Sequence, residues 1–178
     1  MKKILLVICA LLLMPLLSSC AMTDISHYKS VKPMLDLEKY FVGTTDAWGM
    51  FQQRDGAVLK RFHVVIEGKK TADELILDEH FNYDDGSTQQ RIWRLKKQAD
   101  GSWRGEADDV KGEAIGQIAG NTLHWNYTLL LPVSGTIYEM QMDDWMYLMD
   151  DDSMINRASM RKFGVEFGQV TLFFRRRA

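Results

Sequence analysis

Cysteine is almost absent: the 178 residues contain two, Cys9 and Cys20. So few exclude a disulfide scaffold and a zinc site built on cysteine. Proline is nearly as scarce, with three residues, of which only Pro132 falls in the folded region. An excess of one charge is also missing, since 22 Lys and Arg face 24 Asp and Glu for a formal net charge of −2. That balance excludes a strongly basic nucleic-acid binder, and the length excludes a multi-domain chain. No apolar run approaches the about 20 residues that cross a bilayer core. The longest, Ile4 to Leu17, has fourteen.

That short run has a meaning of its own. Lys2 and Lys3 precede it, and Ser18, Ser19 and Cys20 follow. A basic start, a short apolar stretch and small residues before a cut predict a secretory signal over residues 1–19, outside the fold. The ending Leu17-Ser18-Ser19-Cys20 resembles a bacterial lipobox. That resemblance implies cleavage between Ser19 and Cys20 and lipidation of the Cys20 thiol. Each buried CH₂ adds about 0.8 kcal/mol of membrane affinity, and two or more chains make attachment stable. Ala21, rather than Asp, follows Cys20. By resemblance to proteobacterial lipoproteins, this implies the periplasmic face of the outer membrane. Removing residues 1–19 from 178 leaves 159, with 20 basic residues against 24 acids and a charge of −4. Residues 20–39 then read as the lipidated cysteine and a polar tether, and residues 40–178 as the domain.

From Trp48 onward, turn signals recur at short intervals: Asp55-Gly56, Asp85-Gly86, Asp100-Gly101, Gly120-Asn121, Ser134-Gly135 and Phe163-Gly164 among them. Between them the chain alternates with a period of two. Leu123, Trp125, Tyr127, Leu129 and Leu131 form an unbroken apolar face. Val58, Phe62, Val64 and Ile66 share another face, with Lys60 as the exception; Glu79 interrupts the face of Leu75, Leu77, Phe81 and Tyr83. About nine or ten strands follow, at 47–53, 57–67, 73–83, 87–97, 102–107, 112–118, 121–131, 135–149, 153–162 and 165–175. No segment carries a long helical pattern. Hairpin-linked strands predict an all-β, antiparallel up-and-down barrel, because closure removes exposed edges; a β-sandwich is the competing layout. Arg61, His63, Glu67, Arg94 and Lys96 oppose the apolar faces. Charges on a lipid face cost about 2–4 kcal/mol each at mid-depth, which argues against a membrane-spanning barrel.

Short motifs are spread along this stretch. They include Phe41-Val42-Gly43, Ala47-Trp48-Gly49, Glu79-x-Phe81-x-Tyr83-x-Asp85-Gly86, Arg91-x-Trp93, Gly101-x-Trp103-x-Gly105 and Asp109-Val110-x-Gly112. Gly120-Asn121-x-Leu123-x-Trp125-x-Tyr127, Asp143-Asp144-Trp145-Met146-Tyr147-Leu148 and Lys162-Phe163-Gly164 complete the series. Over residues 40–175 the chain resembles the bacterial lipoproteins grouped as domain of unknown function 3833. The resemblance implies a lipocalin-like barrel with an interior cavity and no established activity. The resemblance also implies genes for fatty-acid modification nearby, a hint of lipids. Tyr40-x-x-Gly43 is similar to the lipocalin opening, but Trp48 lies five residues after Gly43, so no lipocalin ligand site is carried over.

Chemical constellations are sparse. No Ser sits in a Gly-x-Ser-x-Gly elbow, and His27, His63, His80 and His124 lack metalloprotease spacing. Asp78, His80 and Asn82 share a strand face, too few for a zinc site and better read as solvent-facing. Asp150-Asp151-Asp152 fails the EF-hand order and reads as a solvated turn. Asp143-Asp144 interrupts a strand, so one acid faces each way unless a bulge re-aims them; the inward one would be a polar group at a cavity mouth. Gly112, Gly116 and Gly120 read as strand kinks or close backbone approaches. Arg175-Arg176-Arg177 reads as a contact for anionic headgroups or a frayed terminus. Met140, Met142, Met146, Met149, Met154 and Met160 read as core filler or a pliable pocket wall.

No catalytic residue, metal or cofactor is expected, and no nucleic-acid partner. The leading expectation is a non-enzymatic barrel at the outer membrane that binds or hands over a fatty acid or other lipid. Trp93, Trp125, Tyr127 and Trp145 are its candidate pocket wall. An interaction module with a filled barrel is the alternative. A lipid-modifying enzyme is a third reading, and it needs a His or carboxylate pair converging in the cavity.

Overall fold

A computed structural model describes residues 23–177. The expected signal over residues 1–19, the Ser19–Cys20 cleavage point and the lipidated Cys20 lie outside the described residues. The strands are β1 (Gly43–Gln53), β2 (Val58–Lys70), β3 (Leu75–Tyr83), β4 (Thr88–Lys97) and β5 (Trp103–Glu106). They continue as β6 (Ala114–Ala119), β7 (Thr122–Val133), β8 (Thr136–Leu148), β9 (Ser153–Lys162) and β10 (Val165–Arg176). Each pairs antiparallel with its neighbours in the chain, and β1 also pairs with β10, closing a barrel. The architecture is the up-and-down barrel that the alternation predicts, and the sandwich is not formed. The first strand begins at Gly43 rather than residue 47. Thr44, Thr45 and Asp46 carry no apolar alternation, yet they pair with Glu67, Ile66 and Val65 in β2.

Closure gives every strand an inner and an outer face, and the inner faces hold the core. Ala47, Val64, Ile66, Leu75, Leu77, Trp93, Leu95, Trp103, Leu123 and Trp125 are buried there. Trp125 fits because Gly116 lies beside its ring. A Cβ on Gly116 would stand 2.1 Å from the indole, so the absent side chain is what leaves room for the tryptophan. Of the methionines, Met142, Met146 and Met160 line the interior, while Met149 is exposed.

One end of the barrel is plugged by a short helix, α1 (Leu37–Phe41), that the sequence pattern does not announce. Asp36 caps it, its Oδ1 accepting from Glu38 N at 3.0 Å and Lys39 N at 3.1 Å. A cap of this kind satisfies backbone donors that a single helical turn otherwise leaves unpaired. Leu37, Tyr40 and Phe41 are buried in the barrel end. Phe41 meets Phe174 edge-on at 6.2 Å, and the Tyr40 hydroxyl donates to the Asp152 carbonyl at 3.1 Å.

The segment expected as a tether over residues 20–39 packs on the barrel where it is described. Asp24 caps a single turn, Ile25–Tyr28, and the Tyr28 ring lies 6.0 Å from Trp145 and 5.6 Å from Tyr147. Leu35 N donates to the Gly120 carbonyl at 2.8 Å. Gly120 has φ +57, and a Cβ there would fall 1.7 Å from the Tyr28 carbonyl oxygen, so the chain crosses directly over this glycine. Buried Leu35 and Leu37 supply the apolar contact that a polar tether would lack.

The C-terminal arginines are likewise built in rather than frayed. Arg175 and Arg176 lie in β10, and Arg175 Nη1 donates to Ser153 Oγ at 3.1 Å. Arg177 donates from Nε and Nη2 to Asp46 at 2.6 and 2.7 Å. These bonds, with one from His63, hold the Asp46 carboxyl down to about 2.

Gly116→Ala should destabilise the barrel by about 1–3 kcal/mol, the usual cost of overfilling a packed core. Urea unfolding measures it, and an unchanged midpoint would mean that the Trp125 ring moves aside freely.

Candidate functional site

The interior is hollow. A cavity of about 1130 Å³ runs inside the barrel, a little above the roughly 300–1,000 Å³ usual for ligand pockets. Its wall is mostly apolar and comes from β1–β4 and β7–β10, with Leu37 and Phe41 of α1 at the plugged end. At the other end it reaches the surface between hairpin tips. There Leu59, Val133 and Ile137 line it while remaining 53%, 46% and 65% exposed. The mouth is therefore apolar.

Set in that apolar wall is a polar cluster contributed by strands well separated in the chain. Glu79 on β3 and Arg91 on β4 are cross-strand partners, and Arg91 Nη1 lies 3.9 Å from the Glu79 carboxylate. Arg91 spends the rest of its fork on Asp109, with Nε 3.0 Å from each carboxylate oxygen and Nη2 2.7 Å from Oδ2. Asp144 on β8, 7% exposed, accepts a hydrogen bond from Asn156 on β9. Tyr127 on β7 adds its hydroxyl. All six residues line the cavity.

Alternation explains how Asp144 arrives there. The β7–β8 register runs without a shift through Asn126–Asp143 and Trp125–Asp144, so no bulge forms and the two acids take opposite faces. Asp144 turns inward beside Met142 and Met146, and Asp143 turns outward. Asp143 then accepts from Trp145 Nε1 at 3.1 Å and pairs with His124 Nε2 at 2.6 Å.

Burial sets the electrostatics. It pushes the Glu79 carboxyl up to about 7; Arg91 opposes the shift, and the charges of Asp109 and Asp144 add to it. Burial also raises Asp144 to about 7, against the hydrogen bond from Asn156 and with help from the charge of Asp143. For Arg91, burial works against the charge, but Glu79 and Asp109 outweigh it and hold the guanidinium ionised. Burial raises the Tyr127 hydroxyl as well. Desolvation disfavours a buried carboxylate unless charge partners compensate, and here one guanidinium serves three carboxyls.

The residues read from the sequence divide between inside and outside. Trp93, Trp125 and Tyr127 line the cavity, with Trp93 edge-on to Trp125 at 5.9 Å and to Tyr127 at 5.4 Å. Trp145, expected on the same wall, is outside, stacked on the His124 ring at 3.9 Å. It is one residue out of phase with Asp144, and a strand admits only alternate residues to each face. Asp144 is the inward-facing acid of the Asp143-Asp144 pair read as a polar group for a cavity, whereas the sequence points to no site role for Glu79, Arg91 or Asp109. The signal for Glu79 was its interruption of an apolar face, and for Arg91 its shared parity with Trp93 and Leu95. Asp109 lies in a loop outside any alternation, and only the family motif Asp109-Val110-x-Gly112 marks it.

Other candidates stay apart from this cavity. His63, His80 and His124 do not line it. Asp78 and His80 sit 3.2 Å apart on the outer face of β3. Asp150 Oδ1 accepts from Asp152 N at 2.9 Å and Ser153 N at 2.6 Å, which makes the acidic run a turn. Among the described residues, no group of three or more His, Cys, Asp or Glu could hold a metal.

A pH dependence follows. Folded Glu79 and Asp144 titrate near 7, above ordinary values of 4.5 and 3.8, so the folded chain binds protons more tightly than the unfolded one. Their contribution is fully present below about pH 4 and is lost as pH rises toward about 7. The double variant Glu79→Gln/Asp144→Asn should lack that fall and be more stable than the parent at pH 8, with little difference at pH 4, measured by urea midpoints. A parent-like pH profile in the variant would contradict the burial of these carboxyls.

Likeness to solved structures shows the fold. A protein of unknown function from the DUF3598 family of Nostoc punctiforme aligns with a TM-score of 0.59 at 11% identity, over 88% of this chain and 53% of that one. The present chain thus spans about half the length of that relative. Two shorter barrels align with a TM-score of 0.43. One is a de novo designed fluorescence-activating β-barrel, 16% identical over 81% of this chain and all of its own. The other is EF1p2_mFAP2b bound to DFHBI, 10% identical over 80% of this chain and likewise all of its own. No curated protein matches the chain. A family profile matches residues 14–176, from within the apolar N-terminal run to the last strand that closes the barrel. The chain belongs to that family, described as protein of unknown function DUF3833.

Proposed function

We propose that this barrel binds or hands over an apolar ligand of lipid type, without chemistry on it, at the periplasmic face of the outer membrane to which Cys20 attaches it. The observation that carries the reading is the hollow interior: about 1130 Å³ with a largely apolar wall, opening through an apolar mouth. A ligand tail entering there exchanges water for Leu, Val, Phe and Met side chains, worth about 25 cal/mol per Å² of apolar surface removed from water. A barrel filled by its own side chains would have favoured a purely structural role. The cavity removes that support.

An enzymatic reading has the carboxyl pair it requires, in Glu79 and Asp144. Acid–base pairs are marked by environments that push two pKa values apart. Here burial drives both the same way, to about 7, and no histidine lines the cavity. The families found by comparison are of unknown function. Binding accounts for the geometry with fewer parts.

A second reading, docking of an envelope partner through an outer strand face, draws on one feature. Trp48, Ile155 and Phe173 are 50%, 39% and 42% exposed on the outer faces of β1, β9 and β10, and Trp48 stacks on Phe173 at 6.2 Å. Such a cluster is a smaller apolar surface than the cavity wall.

Trp93 and Trp125 report directly on occupancy. Delipidated protein titrated with fatty acids and phospholipids should show a saturable change in tryptophan emission, and protein purified under native conditions should release lipid on solvent extraction. No change with any probe and no extracted lipid would sink the binding proposal. For the anchor, Cys20→Ala should move the protein from the membrane fraction to the soluble fraction or leave it unprocessed. Persistence with membranes as a processed chain would rule out attachment through Cys20.

A further inference from the structure

The polar cluster has hydrogen-bonding capacity that the protein does not use. Arg91 commits Nε and Nη2 to Asp109, but its Nη1 stands 3.9 Å from Glu79, beyond hydrogen-bond range. Among the described residues, neither the Glu79 carboxyl nor the Tyr127 hydroxyl has a hydrogen-bond partner, and both line the cavity. Both groups open onto the lumen rather than into a sealed core, so whatever enters the cavity can supply the missing partner. They are positioned for the polar end of a ligand.

The charges say which kind of end. Glu79, Asp109 and Asp144 line the cavity with Arg91, whose charge is already shared between Asp109 and Glu79. Lys60 lies toward the mouth, where it pairs with Asp85 at 3.2 Å. A carboxylate or phosphate head placed in the cluster would face two carboxyls and find no unshared cation. An ammonium head would find the reverse, acceptors on Glu79 and Asp144 and the rings of Trp93 and Tyr127 beside them. Cations are attracted to aromatic faces, with gains of about 0.5–2 kcal/mol that increase as water is excluded.

Resting on the ligand-binding reading above, we propose that this cluster selects the ligand's head group: a single-tailed amphiphile with an amine head, with a neutral hydroxyl tolerated and a carboxylate rejected. This narrows the lipid expectation away from free fatty acids. The apolar wall takes the tail, and Glu79, Asp144 and Tyr127 take the ammonium.

The test uses one tail and three heads. Dodecylamine, dodecanol and dodecanoate are titrated below their aggregation limits into delipidated mature protein at pH 8, with tryptophan emission as readout. The same set is run on Glu79→Gln/Asp144→Asn, and on Asp55→Asn at an exposed turn as a control for general charge. In the parent, dodecylamine should bind at least about tenfold more tightly than dodecanoate, with dodecanol between; tenfold corresponds to about 1.4 kcal/mol. In the double variant the amine should weaken by about tenfold and dodecanoate should gain, while Asp55→Asn leaves the order unchanged. Dodecanoate binding as tightly as the amine in the parent, or an amine preference that survives the double variant, overturns the head-group assignment and leaves the binding proposal standing. Failure of all three probes to bind overturns both.

Discussion

Closure of the sheet is the constraint on which the rest of this structure depends. β1 pairs with β2 on one side and with β10 on the other, from Thr45–Arg176 to Gln53–Gly168. Once that seam is made, no free strand edge remains and each residue of each strand has one of two destinations, lumen or exterior. The seam is reinforced at its end by Arg177, which reaches back to Asp46, and by the Arg177 N–H, which donates to the Thr44 carbonyl at 2.9 Å. The plug formed by α1 sits at this same end, so one opening is filled by the chain itself and the other is left to its apolar rim.

The lumen that results is too wide for its own side chains to fill, and this changes the standing of the polar residues within it. A buried carboxyl in a solid core would need a full set of partners or would be excluded by its desolvation cost. Glu79 and Asp144 have instead one weak charge contact and one amide donor, respectively. Both remain neutral up to about pH 7, which is the least costly state for acids in such a wall. The arrangement resembles a binding site more than a structural ion pair, because only Arg91 and Asp109 satisfy each other closely.

The exterior follows a different logic. Asp143, His124 and Trp145 form a hydrogen-bonded and stacked group, covered in part by Tyr28 from the N-terminal segment. That cover fastens the segment leading from the expected lipid site to the barrel wall.

The alternating faces, the Asp-Gly turns and the near absence of proline were enough to indicate about nine or ten antiparallel strands and their approximate limits, because a period of two is a local property of extended backbone. Trp93, Trp125 and Tyr127 shared parity with apolar neighbours, so their inward direction was legible for the same reason. Trp145 was not, since an Asp-Asp pair beside it left the phase of β8 open until the register with β7 settled it. Helix α1 and the packed N-terminal turn escaped notice because each is a single turn held by a cap and by tertiary contact, too short to show a period. The tertiary structure alone decided that the barrel is hollow and that Glu79, Arg91, Asp109, Tyr127 and Asp144 share one lumen. Those residues lie on separate strands and one loop, and what brings them together is sheet closure, whose long-range pairing no local pattern encodes.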